Sequence, residues 1–214
     1  MSWSQPYPWA IAVAFCAALA IWGKSPGRMI VHYLFKPLTT SVILAVAVLM
    51  VPHSAPRPWV LTALCLSLLG DIVLMLGDRW FKLGLLSFLL ALAAWSMAFT
   101  AQIPFVPRQL LYLILPAAVS LLIVRSMWLH LGKLRWPVAL YVATIATMTW
   151  RAFSRFDALD VSLAAWAWGC IGATLFITGD TLLARRKFVG KRGPYWIELG
   201  VYFAAQWCLV MSVC

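Results

Sequence analysis

Two carboxylates stand in stretches where a carboxylate is costly. The first lies in Leu66-Ser67-Leu68-Leu69-Gly70-Asp71-Ile72-Val73-Leu74-Met75, the second in Leu175-Phe176-Ile177-Thr178-Gly179-Asp180-Thr181-Leu182-Leu183. Each has Gly directly before the Asp and Leu three residues after it. An Asp at the middle of a membrane helix costs about 2.5–3.5 kcal/mol on insertion scales, so such residues are retained for a task. The pattern predicts that Asp71 and Asp180 face one another across a helix bundle as a catalytic pair. Other polar positions extend the site. Glu198, Tyr202 and Gln206 recur every four residues and share one helix stripe. Lys36 precedes Pro37 at the start of its segment, and Tyr141 lies one turn before Thr144. Lys36, Tyr141, Glu198, Tyr202 and Gln206 are the candidate substrate-binding residues. Gly70 and Gly179 predict close approach of a neighbouring helix beside each acid.

The chemistry open to these residues is acid–base work. Two carboxyl groups sharing a low-dielectric site do not both ionise readily, so one keeps a proton while the other is charged. That supplies an acid and a base in one pocket. The residues offer little else. No His pair has the helical spacing of metal ligands, and His53 belongs to connections opposite those of His32 and His130, so neither a metal nor another cofactor is expected. No Gly-x-Ser-x-Gly occurs to support a Ser–His relay. Cys16, Cys65, Cys170, Cys208 and Cys214 have no metal-type or disulfide-type spacing and read as small core hydrophobes. A purely structural part competes at each acid. An intramembrane Asp also bridges helices or neutralises a cation such as Arg125, and Glu198 in a first helical turn suits the helix dipole. Asp78, Asp157 and Asp160 read as solvated loop residues.

The elements that must position the acids follow from composition. The chain has 214 residues, is 64% hydrophobic and 11% charged, against roughly half and a quarter in soluble domains. It reads as all-α: one polytopic membrane bundle over 1–214, with eight transmembrane helices at about 8–23, 34–51, 58–77, 83–101, 109–128, 136–153, 162–184 and 194–213. The breaks carry turn or charge signals such as Gly23-Lys24-Ser25-Pro26-Gly27 and Arg185 to Gly193. Thirteen Lys and Arg fall at the odd-numbered connections, including Lys24, Lys36, Arg186, Lys191 and Arg192, and four at the even ones: Arg57, Arg108, Arg151 and Arg155. That asymmetry predicts cytoplasmic odd loops and both termini on the non-cytoplasmic side. It also accounts for the net charge of +11 without nucleic acid as a partner. The first apolar run lacks the basic n-region of a cleavable signal peptide. With the two Gly-Asp helices third and seventh in order, a weak parallel repeat of 1–101 and 109–214 is a further expectation. Short loops fit a bacterial inner membrane.

Phe35-Lys36-Pro37-Leu38-Thr39, Leu68-Leu69-Gly70-Asp71, Phe88-Leu89-Leu90-Ala91, Arg135-Trp136-Pro137, Leu175 to Ala184 and Tyr202-Phe203-Ala204-Ala205-Gln206 together resemble the YhhN-type lysoplasmalogenase family, in the same order through nearly the whole chain. Where that family often has Ala-His in the fourth helix this chain has Ala91-Leu92, and Gly179 stands where Ser is common. The resemblance implies an eight-helix membrane hydrolase that cleaves the vinyl-ether bond of lysoplasmalogens to a fatty aldehyde and a glycerophospho-base. It also implies the two Asp as the catalytic pair, a lysophospholipid as substrate and membrane lipids as surroundings. Vinyl ethers hydrolyse by protonation of the β-carbon to an oxocarbenium ion that water captures, a problem that glycosidases also meet with two carboxylates. On this reading Lys36, with Lys82 and Arg125 as further candidates, lies where a headgroup phosphate would sit at the cytoplasmic interface. Two other classes compete with it: a small proton-coupled transporter, whose acids relay protons near the bilayer centre, and a non-catalytic lipid-binding membrane protein.

Overall fold

The computed structural model describes residues 6–190 and 194–214, so Lys191, Arg192 and Gly193 of the last predicted turn lie outside the described residues. Within them the chain is helical, with α1 Pro6–Trp22, α2 Met29–Met50, α3 Arg57–Met75, α4 Phe81–Thr100, α5 Ile114–Met127, α6 Arg135–Ser154, α7 Leu163–Ala184 and α8 Tyr195–Met211. Five helical stretches are long and apolar enough to cross a membrane: Met29–Met50, Arg57–Met75, Asp78–Thr100, Pro107–His130 and Leu163–Val189. The chain is a multi-pass helical membrane protein. α1 and α8 have 17 residues each, about 26 Å at 1.5 Å per residue, just under the roughly 30 Å hydrocarbon core. The apolar run of α6 is broken by Thr144, Thr147 and Thr149, each of which returns its hydroxyl to the carbonyl four residues earlier at 2.8–2.9 Å.

Two boundaries differ from the sequence expectation, for local reasons. α2 starts at Met29 rather than 34, because Met29-Ile30-Val31 continues the apolar run. Lys36 is therefore two turns inside the helix and nearly buried, not at its interfacial start. α5 starts at Ile114 rather than 109, after a 3₁₀ stretch Pro107–Leu113. Pro116 has no N–H to give the carbonyl four residues back, and a start at Ile114 puts it in the first turn, where that N–H has no partner anyway.

The core joins most helices around Trp95, Phe99, Ile43, Leu64, Met148 and Leu209, all buried. Leu92, the position where the resembled family often has His, is wholly buried in this core. α3 packs along α4, and α7 along α8. Gly70 allows the first of these approaches: a methyl group there would lie 2.6 Å from the Phe88 ring. Gly179 is different. A Cβ at that position meets Val201 at 3.5 Å and the α8 backbone at 3.7 Å, ordinary contacts that leave room for a small side chain.

Away from the two acids, buried guanidinium groups tie helix ends. Arg151 donates to Thr100 Oγ1, Gln109 Oε1 and the Ile103 carbonyl at 3.0, 2.9 and 3.1 Å. Two loop acids expected to be merely solvated are paired instead. Asp157 meets Arg108 at 3.1 Å and accepts from Tyr112, and Asp78 meets Lys187 at 2.5 Å. Of the cysteines, Cys16 and Cys208 are buried, whereas Cys65 and Cys214 are exposed rather than part of the core.

Candidate active site

Asp71 lies four residues before the end of α3, and Asp180 four before the end of α7. Asp71 thus sits at the negative pole of its helix, an unfavourable place for a carboxylate unless something answers its charge, whereas the chain stays helical past Asp180 through Arg185–Val189. The surroundings of the two acids differ.

Asp71 is 1% exposed. Its Oδ2 accepts from Thr40 Oγ1 at 2.6 Å and from the Tyr202 hydroxyl at 2.9 Å, while Oδ1 faces Lys36 Nζ at 3.2 Å. Lys36 Nζ also reaches the Asp71 carbonyl at 3.5 Å. One cation and two hydroxyl donors thus converge on this carboxylate as charge-assisted hydrogen bonds. Tyr202 is held in turn by edge-on contacts with Phe88 and Phe176, ring centroids 5.8 and 6.0 Å away, and by Gln206 Nε2 donating to its hydroxyl at 3.3 Å. Among the described residues Asp180 has one donor, the Tyr141 hydroxyl, at 2.5 Å from Oδ2, and no cation within ion-pair distance.

Both acids line a polar cavity of about 230 Å³ that opens among α2, α3, α4, α7 and α8. Its wall includes Lys24, His32, Lys36, Arg186, Lys187, Tyr195, Glu198 and Tyr202. A narrower, apolar crevice of about 50 Å³ lies between α4, α5, α6 and α7, walled by residues such as Leu85, Ile123, Val142 and Ile145. Leu74, Phe81, Phe88, Asp180 and Leu183 belong to both walls. Asp180 therefore stands where a charged compartment meets a greasy one.

Of the residues predicted from sequence, Asp71, Asp180, Lys36, Tyr202 and Glu198 share the polar cavity, and Tyr141 touches Asp180 from the crevice side. Three parts are finer than the sequence reading allowed. Lys36 is committed to Asp71. Glu198 is committed to Arg186, which donates through Nε and Nη2 at 2.8 Å each. Gln206 is fully buried and reaches the cavity only through Tyr202. Thr40, Tyr195, His32, Lys24 and Arg186 were missed as site residues. Thr40 alone carried a signal, one turn from Lys36 on the same helix. His32 donates through Nδ1 to the Ala20 carbonyl at 2.8 Å, which leaves Nε2 to accept from the Tyr195 hydroxyl at 3.2 Å.

The unequal support of the two acids gives a graded expectation. Tyr141→Phe removes the one donor that Asp180 has among the described residues. A hydrogen bond to a charged or partly charged group is worth roughly 1.5–3 kcal/mol, so turnover should fall about 10- to 100-fold. Tyr202→Phe leaves Thr40 and Lys36 on Asp71 and should cost clearly less. Initial rates of the two purified variants measure this.

Comparison with known proteins agrees on kinship. The family described as the YhhN family matches residues 31–213. The chain is 29% identical over 210 residues to the uncharacterized membrane protein YhhN of Escherichia coli O157:H7, covering 95% of this chain and 97% of that one, and equally to its Shigella flexneri counterpart. It is 31% identical over 166 residues to the bovine lysoplasmalogenase TMEM86A, covering 74% of this chain and 65% of the bovine protein. No solved structure matches.

Proposed function

This chain belongs to the YhhN family, and from that premise we propose that it is a membrane hydrolase that cleaves the vinyl-ether bond of lysoplasmalogens. The observation that carries the reading is Asp180 at the junction of the two compartments, with Asp71 across the shared cavity. A lysoplasmalogen has the matching division: a charged glycerophospho headgroup, one hydrocarbon chain, and the vinyl ether between them. The headgroup occupies the polar cavity and the first carbons of the chain enter the crevice, the remainder lying in lipid. This brings the vinyl ether to Asp180.

Asp180, which no cation commits to the ionised form, gives its proton to the β-carbon. The double-bond electrons form the new C–H bond and an oxocarbenium ion remains. Asp71, ion-paired with Lys36 and bonded by Thr40 and Tyr202, steadies that cation and takes a proton from the attacking water. The hemiacetal collapses to aldehyde and a glycerol hydroxyl, and the proton on Asp71 returns to Asp180. A carboxylate beside a developing oxocarbenium is effective where water is scarce, because the charges are less screened. We assign all eight helices to the membrane, with both termini on the non-cytoplasmic side of a bacterial inner membrane. This follows the Lys and Arg asymmetry and puts the site in the cytoplasmic leaflet.

The test is direct. Purified protein in detergent with lysoplasmenylethanolamine should release one fatty aldehyde per glycerophosphoethanolamine. The saturated-ether analogue, which lacks the double bond to protonate, should be inert. Uptake of the lipid into sealed vesicles without bond cleavage would instead identify a carrier.

A further inference from the structure

The cations on the polar cavity wall are nearly all spoken for. Lys36 is paired with Asp71 at 3.2 Å, Arg186 with Glu198 at 2.8 Å, and Lys187 with Asp78 at 2.5 Å. Lys24, in the turn between α1 and α2, is the exception. Among the described residues no carboxylate lies within ion-pair distance of it, and its ammonium stands 4.9 Å from the centroid of the Tyr195 ring. The Arg186 guanidinium lies 5.7 Å from the centroid of the same ring. Arg186 uses Nε and Nη2 on Glu198, and among the described residues no hydrogen bond engages its Nη1. Two cations thus converge on one aromatic ring, and the Glu198 carboxylate beside them is taken up by Arg186. That ring is fixed through its hydroxyl by His32, itself buried and anchored to Ala20. The acids on the same wall are used up as well: three in the ion pairs above, and Asp180 with Tyr141.

We propose that Lys24, with Arg186 beside it over Tyr195, is the anchor for a phosphate group, and that the cavity recognises a lysolipid by its phosphate and not by its headgroup amine. The proposal rests on the lysolipid reading above and adds to it the residue that holds the charge. A phosphate placed there would meet an ammonium and a free guanidinium N–H, the donors that phosphate oxygens bind best. It would also relieve the present crowding of charge. Partial desolvation and the nearby Arg186 and Lys36 charges hold the Lys24 ammonium below its ordinary pKa, and an anion reverses that effect. Among the described residues every carboxylate of the wall already has a partner, so an ethanolamine or choline cation gains no ion pair there that is not already made.

Binding of ligands that cannot be cleaved tests this without calling on hydrolysis. Dissociation constants are measured by calorimetry on the protein in nanodiscs for a saturated 1-O-alkyl-glycero-3-phosphate, its phosphoethanolamine ester and the phosphate-free 1-O-alkylglycerol. The two phosphate ligands should bind about tenfold or more tighter than the alkylglycerol, the scale of one charge-assisted contact. The ethanolamine ester should have no advantage over the plain phosphate. Lys24→Gln should erase most of the preference for phosphate and Lys24→Arg should keep it. An unchanged preference in Lys24→Gln, or equal binding of the alkylglycerol by the unaltered protein, overturns the proposal. Displacement of the ether phosphate by inorganic phosphate at comparable concentration would assign the anchor to free phosphate and overturn the headgroup assignment. If aldehyde release fails while the Lys24-dependent preference persists, the hydrolase reading falls and the anchor stands.

Discussion

Asp180→Asn is expected to lower the rate of aldehyde release by about 10²–10⁴-fold, the range that one positioned proton donor supplies, in a protein that still folds. The expectation follows from how lightly Asp180 is held. Among the described residues its one hydrogen bond comes from Tyr141, and an Asn carbonyl can accept the same bond, so α7 loses nothing it needs for packing. What it loses is a proton that can be given to carbon. Substrate binding should change little, because the headgroup and chain compartments keep their walls. The loss should therefore appear in kcat rather than KM, as expected for an interaction made only in the transition state.

Asp71→Asn should fail in a different way. Removing one partner of a buried ion pair strands the other, at a cost of about 3–5 kcal/mol. Here the stranded group is Lys36, whose side chain is 11% exposed. The variant should unfold at distinctly lower temperature in detergent, as well as lose turnover. Replacing both members, Lys36→Met with Asp71→Asn, removes the stranded charge and should recover much of the lost thermal stability without recovering activity. The pair of melting curves separates the charge balance of the site from its chemistry. A double variant as unstable as the single one would show that Lys36 is not the counter-charge.

How far the acids could be read from sequence depended on what each clue measured. Asp71 and Asp180 stood out because a carboxylate in an apolar run is conspicuous on its own. The stripe through Glu198, Tyr202 and Gln206 was legible as periodicity. Its division of labour was not, because periodicity gives a face but not the partner across it. That Arg186 would occupy both oxygens of Glu198 depends on a π-helical turn, Arg185–Val189, continuing α7 toward the start of α8. No spacing rule announces such a turn. Lys36 was misplaced by a single assumption, that Pro37 marks a helix start. Lys24 and Tyr195 went unseen because each stands in or beside a turn, and they meet only when α1, α2 and α8 are packed.

Mass spectrometry of the aldehyde formed in D₂O tests the central claim most directly, since protonation at carbon leaves a record in the product. The account predicts one deuterium on the carbon next to the carbonyl in aldehyde made by the unaltered protein, and loss of that labelled product in Asp180→Asn. Aldehyde released without deuterium at that carbon, or labelled product formed at full rate by Asp180→Asn, would contradict it.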